Sequence, residues 1–323
     1  MNPRSSRAHS GLAAIYRQQG RLKDAISSQT TAIRIHPKTN LYFGPLRELH
    51  VERYEKLIDD GRDQEAAMAL KSVIADFTEI SNLVPELITP HENLLKICEQ
   101  LGNDEQSIAS IKRLIEIRPN QLSYQKKMVS LCCERCKKLE SEGKQQQGVN
   151  MLNDSIGFLK RFESEHDLLE RLYDLSSGLL RELGQFEKAI DSLKKAIELK
   201  PQKRRFRQRL GNLYVDNNQL DLAEKTFRSL LDNDSNDTDS IACIANLYLV
   251  KQMPQESESI IRKALKEGID SPEMQLTLAR SVLDQSLARK SPEKDAEGRK
   301  ILNELRKTAP HLKYPSSILQ IGN

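Results

Sequence analysis

An 18-residue window occurs three times in this chain at a fixed interval. It reads "GRLKDAISSQTTAIRIHP" from Gly20 to Pro37, "GNDEQSIASIKRLIEIRP" from Gly102 to Pro119, and "GQFEKAIDSLKKAIELKP" from Gly184 to Pro201. The second and third copies each start at a shift of 82 from the one before. Self-similarity at a fixed period means stacked supersecondary units rather than one globular core. Each window opens on a Gly, the residue best able to end a helix in the left-handed conformation. Each closes on a Pro, which cannot continue a helix. Five positions after the Gly stand Ala25, Ser107 and Ala189, small enough to let two helices approach closely. Ala32, Leu114 and Ala196 lie seven positions further on, on the same face two turns later. The apolar residues between them follow a helical period, not an alternating one.

Within the C-terminal half the period is 34. Asn212-Leu213-Tyr214 matches Asn246-Leu247-Tyr248, Ala189 matches Ala223, and Ala196, Leu230 and Ala264 share one slot. The first unit carries Leu12, Ala13, Tyr16, Gly20, Ala25, Gln29, Ala32 and Pro37. A later one carries Leu210, Gly211, Tyr214, Asn218, Ala223, Phe227 and Leu230, with Ser235 where Pro37 stands in the first. The next has Ile244, Ala245, Tyr248, Gln252, Ser257, Ile261 and Ala264. The unit before Pro201 has Ser176, Ser177 and Leu180 in its early slots. This pattern resembles the tetratricopeptide repeat. The resemblance implies an all-α, right-handed α-solenoid of about eight antiparallel helix pairs, in which stacking buries the apolar faces.

Doubling that period gives 68, so each shift of 82 contains a surplus of 14. Pro201 to Asn218 spans 17 positions, whereas Pro37 to Gly61 and Pro119 to Gly143 each span 24. Gly61 to Pro85 is again 24, against 17 from Gly184 to Pro201. Both helices of the second and fourth units are therefore expected to be longer by seven residues. That is close to two turns, which keeps the apolar face in line. The long units match each other at a shift of 82: Tyr42 with Tyr124, Leu46 with Met128, Arg53 with Arg135, Ile74 with Ile156. The expected division is one solenoid over 1–310, with units at about 6–37, 38–85 (long), 86–119, 120–167 (long), 168–201, 202–235, 236–270 and 271–310 (long). A polar tail follows over 311–323.

Composition agrees with a thin assembly. Of 323 residues, 38% are hydrophobic and 30% charged, and the 14 Gly and 12 Pro are too few for many turn-linked strands. The net charge of +4 is small and by itself implies neither nucleic acid nor membrane. No apolar run reaches the ~18–20 residues of a membrane span, and no signal peptide is visible. The five cysteines show no scaffold spacing, which points to a reducing, cytoplasmic setting.

Catalytic signatures such as GxSxG, GxGxxG, HExxH or a P-loop are absent from the sequence, so no enzyme, cofactor or metal is expected. The run Cys132-Cys133-Glu134-Arg135-Cys136 contains a CxxC within a helical pattern, and Cys132 shares a packing slot with Cys98. Packing is the expected role, with thiol chemistry as the alternative. The resemblance implies a protein or peptide partner in a concave groove lined by each first helix. The corresponding positions are Arg205, Gln208, Arg209, Asn212, Ala242 and Asn246. Asn212 and Asn246 match the family's groove asparagine; the alternative is that they serve only local helix packing. The lysine-and-arginine clamp of the chaperone-binding members is missing, since Asp174, Gln208 and Ala242 occupy the slot of its first lysine.

The run "KPQKRRFRQR" supplies six cations: Lys200, Lys203, Arg204, Arg205, Arg207 and Arg209. It suits an acidic partner or a phosphate; the alternative is a solvated helix face. The leading expectation is a non-enzymatic interaction scaffold. An RNA-binding helical-repeat array is the runner-up, carried by the linker "ALKEGIDSPE" from Ala264 to Glu273. The third expectation is the regulatory part of a larger enzyme system.

Overall fold

Each Gly-to-Pro window becomes a turn, a helix and a stop. The computed structural model describes residues 5–162 and 166–312, apart from the side chain at position 233. These residues form sixteen α-helices and no strand. Most of the tail expected over 311–323 lies outside the described residues. Cα packing divides the chain into two compact bodies, Met1–Leu172 and Tyr173–Asn323.

The first body holds α1 (Ser6–Gln18), α2 (Leu22–Ile35), α3 (Phe43–Asp59), α4 (Asp63–Leu83), α5 (Ile88–Gln100), α6 (Asp104–Ile117), α7 (Leu122–Ser141) and α8 (Gln145–Leu159), and the start of α9 (His166–Glu182). The second continues α9 and adds α10 (Phe186–Leu199), α11 (Arg204–Asp216), α12 (Leu220–Asn233), α13 (Thr238–Val250), α14 (Pro254–Lys266), α15 (Pro272–Arg289) and α16 (Pro292–Thr308). Sequential helices pack as pairs, and first helices also touch first helices, as α3 does α5 and α13 does α15.

The prolines act as expected. α2, α6 and α10 end at Ile35, Ile117 and Leu199, two residues before Pro37, Pro119 and Pro201. The turn between paired helices needs one left-handed residue. Gly184 supplies it at φ 69°, and Asn218 and Gln252 adopt φ 55° and 60° in the same slot at shifts of 34. In each case the amide of the next residue closes the helix end, Gln185 onto the Leu180 carbonyl, Gln219 onto that of Tyr214 and Met253 onto that of Tyr248.

Lengthening is distributed unevenly. Short helices run to 13 or 14 residues, whereas α4 has 21 and α7 has 20, the full seven-residue gain. α3 has only 17, because Pro45 confines the α-helical start to Phe43 and the residues before it form a 3₁₀ turn, Asn40–Tyr42. α8 has 15 and passes into a 3₁₀ turn over Lys160–Phe162. α15 is also long, at 18 residues.

The small-residue slots are sealed. Ala25, Ala32, Ala189, Ala196 and Ala223 are wholly buried. In the first body Phe43, Leu46, Val73, Phe77, Ile80 and Ile97 form a continuous apolar cluster. Side chains of this size stabilise by roughly 1.5–3 kcal/mol each when fully buried.

Candidate partner-binding groove

The groove positions lie on α11 and α13 in the second body. Phe206, Leu210, Leu213 and Tyr214 turn inward, which leaves Arg205, Gln208, Arg209 and Asn212 on another face of α11. The position of α11 is fixed from beneath. A Cβ added at Gly211 would collide with the buried Phe227 ring, coming 2.6 Å from its Cζ, so glycine is what permits α11 and α12 to close here.

Asn212 is exposed, and its side chain has no partner among the described residues. Asn246, one repeat later on α13, is half-buried and oriented. Its Nδ2 donates to the Ala242 carbonyl at 3.0 Å, and its Oδ1 accepts from Arg280 Nη1 of α15 at 3.3 Å. A carbonyl only accepts and a guanidinium only donates, so the two bonds fix which end of the amide faces which partner. Ala242 is buried at 6% exposure, so its side chain offers packing rather than contact. Asn246 thus does local packing work, while Asn212 does not.

The basic run is largely spoken for. Arg209 and Arg205 both reach Asp174 on α9: Arg209 Nη1 pairs with Oδ1, and Arg205 Nη2 donates to Oδ2 at 3.0 Å. Arg209 Nη2 also donates to the Asp174 carbonyl at 3.5 Å. Asp174 stands where a chaperone-type clamp would place its first lysine, and here it holds two arginines together. Burial pushes the Arg209 pKa down from its ordinary value. Arg204 turns away to the α12–α13 link, where it pairs with Asp234 at 3.0 Å and with Asp237. Asp237 also caps α13, accepting from the Ser240 amide at 2.9 Å. Lys203 lies over the Phe206 ring at 5.4 Å. Lys200 is half-buried at the end of α10, and Arg207 is half-buried on α11 without a side-chain partner among the described residues.

Sequence reasoning missed two acidic hubs, on α12 and α14. Glu224 of α12 accepts from Lys251 Nζ at 2.6 Å, Arg228 Nη2 at 2.9 Å and Tyr248 OH at 2.9 Å. Those bonds, Lys251 foremost, hold its carboxyl down at about 2. The hub recurs at a shift of 34, where Glu258 accepts from Lys294, Arg262 and Gln285. Glu224/Glu258, Arg228/Arg262 and Lys251/Gln285 are repeat equivalents, a signal present in the sequence at that period.

In the first body the CxxC pair is split, with Cys136 packed inside and Cys133 half-buried. Cys132 and Cys136 are 0% and 2% exposed, and Cys132 Sγ lies 3.3 Å from Ser155 Oγ. Burial pushes the thiols up, to about 11 for Cys132 and about 12 for Cys98 and Cys136. No cluster of three or more His, Cys, Asp or Glu side chains suited to a metal occurs among the described residues. No helix among them is long and apolar enough to cross a membrane.

Three sequence models, each described as a tetratricopeptide repeat, match separate stretches: residues 1–38, 90–121 and 180–247. These three stretches are tetratricopeptide repeats. No curated protein matches it significantly. Among solved structures it is similar to BtubC (BKLC) from P. vanneervenii, at 14% identity and a TM-score of 0.48, over 68% of this chain and 93% of that one. A tetratricopeptide-repeat protein from Parabacteroides merdae aligns over 98% and 97% of the two chains at 15% identity and a TM-score of 0.38. A putative kinesin light chain from Podosopora anserina covers 59% of this chain and 99% of its own, at 16% identity and a TM-score of 0.45. The family match at 180–247 contains Arg205, Gln208, Arg209, Asn212, Ala242 and Asn246.

Proposed function

We propose that this tetratricopeptide-repeat chain is a non-enzymatic scaffold of the cytoplasm that holds an extended segment of a partner protein against the first helices of its second body. The observation that carries this reading is the contrast between two equivalent amides. Asn246 is braced by Ala242 and Arg280, while Asn212 is exposed and unengaged among the described residues. An unengaged amide beside the half-buried Gln208 offers the donor and acceptor that a peptide backbone needs. Arg205 adds an exposed guanidinium, already anchored on one side by Asp174. Because Arg204, Arg205 and Arg209 already hold carboxylates, the preference for an acidic partner is weaker than the composition of the run implies.

Affinity purification with mass spectrometry tests the reading. Wild type is compared with Asn212→Ala/Asn246→Ala and with Arg204, Arg205 and Arg209 changed to Glu. A partner recovered near stoichiometry by wild type and lost from the asparagine variant supports the groove. Identical recovery by all three proteins contradicts it, and recovery of RNA alone contradicts the protein-partner reading.

A further inference from the structure

Each lengthened hairpin of the first body borders a pocket. In the first long pair, α3 carries Arg53, Lys56 and Leu57. Together with Leu22 and Lys23 they enclose a cavity of about 180 Å³. Leu22 and Leu57 are each 7% exposed and form its apolar floor. Among the described residues the side chains of Lys23, Arg53 and Lys56 have no ion-pair or hydrogen-bond partner. The other charges at the rim are Asp60 and the Arg62–Glu65 pair, which is closed on itself at 2.7 Å.

The same pocket recurs at a shift of 82, lined by Glu105, Arg135, Leu139 and Gln147, the equivalents of Lys23, Arg53, Leu57 and Glu65. There the equivalents of Arg53 and Lys56 are paired from within the chain. Lys138, the equivalent of Lys56, donates to Asp104 at 2.8 Å. Arg135 lies 3.8 Å from both Asp104 and Glu105. Those two carboxylates open α6. At the matching positions of the first pocket stand Leu22 and Lys23, so the acids are replaced by a leucine and a further cation. One fold position, built twice, therefore pairs its arginine and lysine with acids of the chain in one copy and leaves them unpaired among the described residues in the other.

We infer that the pocket formed by Lys23, Arg53 and Lys56 receives a pair of neighbouring carboxylates from an acidic segment of a partner protein. Asp104 and Glu105 show in the second copy what such a ligand does: two successive acids spread over an arginine and a lysine that project from one lengthened helix. Arginine and lysine so placed make charge-assisted bonds to carboxylates. The site is distinct from the asparagine groove and does not depend on it.

The test uses the full chain and a fluorescein-labelled octapeptide bearing an Asp-Glu pair, read by fluorescence anisotropy at low ionic strength, where exposed charges are least screened. One equivalent binds, and the Asn-Gln version of the peptide binds at least tenfold more weakly. Arg53→Ala/Lys56→Ala weakens binding at least tenfold, whereas Lys300→Ala, at an exposed position of α16, leaves it within twofold. Lys23→Glu, a change at an exposed position, gives the same loss and keeps the test readable should the double variant fail to fold. Asp104→Leu/Glu105→Lys recreates the first pocket in the second copy and raises the stoichiometry to two. Absence of binding to wild type, or affinity within twofold in the folded Arg53→Ala/Lys56→Ala and Lys23→Glu proteins, overturns the inference. Displacement by a tenfold excess of inorganic phosphate over peptide overturns the carboxylate assignment.

Discussion

Arg209 grips Asp174 through both its side chain and its backbone carbonyl, across the gap between α11 and α9. The two residues are 35 positions apart, one repeat plus one residue. This contact turns part of a basic run into a strut between successive first helices. Replacing Asp174 with Ala leaves a half-buried guanidinium without its carboxylate and is expected to lower stability by about 1–3 kcal/mol. The same change frees Arg205, so affinity for acidic peptides in the groove rises. Urea unfolding and peptide titration of Asp174→Ala check both halves; unchanged stability contradicts the strut.

Close packing under the groove gives a second expectation. At Gly211 an added methyl group collides with the Phe227 ring, which is 1% exposed and held by the surrounding core. Gly211→Ala removes backbone entropy from the unfolded chain but forces that ring to move. Overpacking of this kind costs roughly 1–3 kcal/mol. Gly211→Ala is expected to lower Tm by several degrees, and Gly211→Ala/Phe227→Leu to recover part of it. A Gly211→Ala protein as stable as wild type contradicts the clash.

How much of this is legible in the sequence follows the physics of each signal. Helix pairing, the left-handed turns and the proline stops are local, so Gly184, Pro201 and the Ala189 slot announce them directly. The lengthening of α4 and α7 is readable from the spacing of glycines and prolines. The shortfall in α3 is not, because spacing counts residues without asking whether Pro45 lets them all be helical. The charges of Lys200–Arg209 are visible, but their use is not. Asp174, Asp234 and Asp237 neutralise three of them across gaps that composition does not see. Asn212 and Asn246 look alike at shift 34, and only their bonds separate them: Asn246 holds the Ala242 carbonyl and Arg280, and Asn212 has neither.

The hub at Glu224 makes stability depend on acid. Its carboxyl sits at about 2 when folded, below the ordinary 4.5, because Lys251, Arg228 and Tyr248 bond its charged form. A depressed carboxylate contributes stability that is fully present above its unfolded value and is lost as pH falls through the folded one. Solvent reaches part of the hub and screens it, so Glu224→Gln is expected to be less stable than wild type by about 1 kcal/mol at pH 7. The difference shrinks between pH 4.5 and 2. Chemical unfolding of both proteins across that range decides it, and a gap that does not narrow on acidification contradicts the hub.

Thiol chemistry offers a further check. Cys98, Cys132 and Cys136 are buried, and burial pushes their pKa values to about 11–12. Their thiolate fraction near neutral pH is very small, and the thiolate is the reactive species. Peptide mapping after brief native alkylation should find these three unmodified and any label confined to Cys133 and Cys243, which are half-buried. Rapid labelling of Cys132 or Cys136 in the folded chain contradicts their place in the core.

The scaffold reading itself is tested most directly by measuring how tightly a selected ligand depends on the groove asparagines. A peptide chosen from a random displayed library on the folded chain is titrated against wild type and against Asn212→Ala/Asn246→Ala, with circular dichroism confirming that the variant is folded. The expected result is at least a tenfold loss of affinity, together with cross-linking of the peptide to a photoreactive residue placed at Gln208. An affinity within twofold of wild type, with cross-links falling elsewhere, contradicts the account.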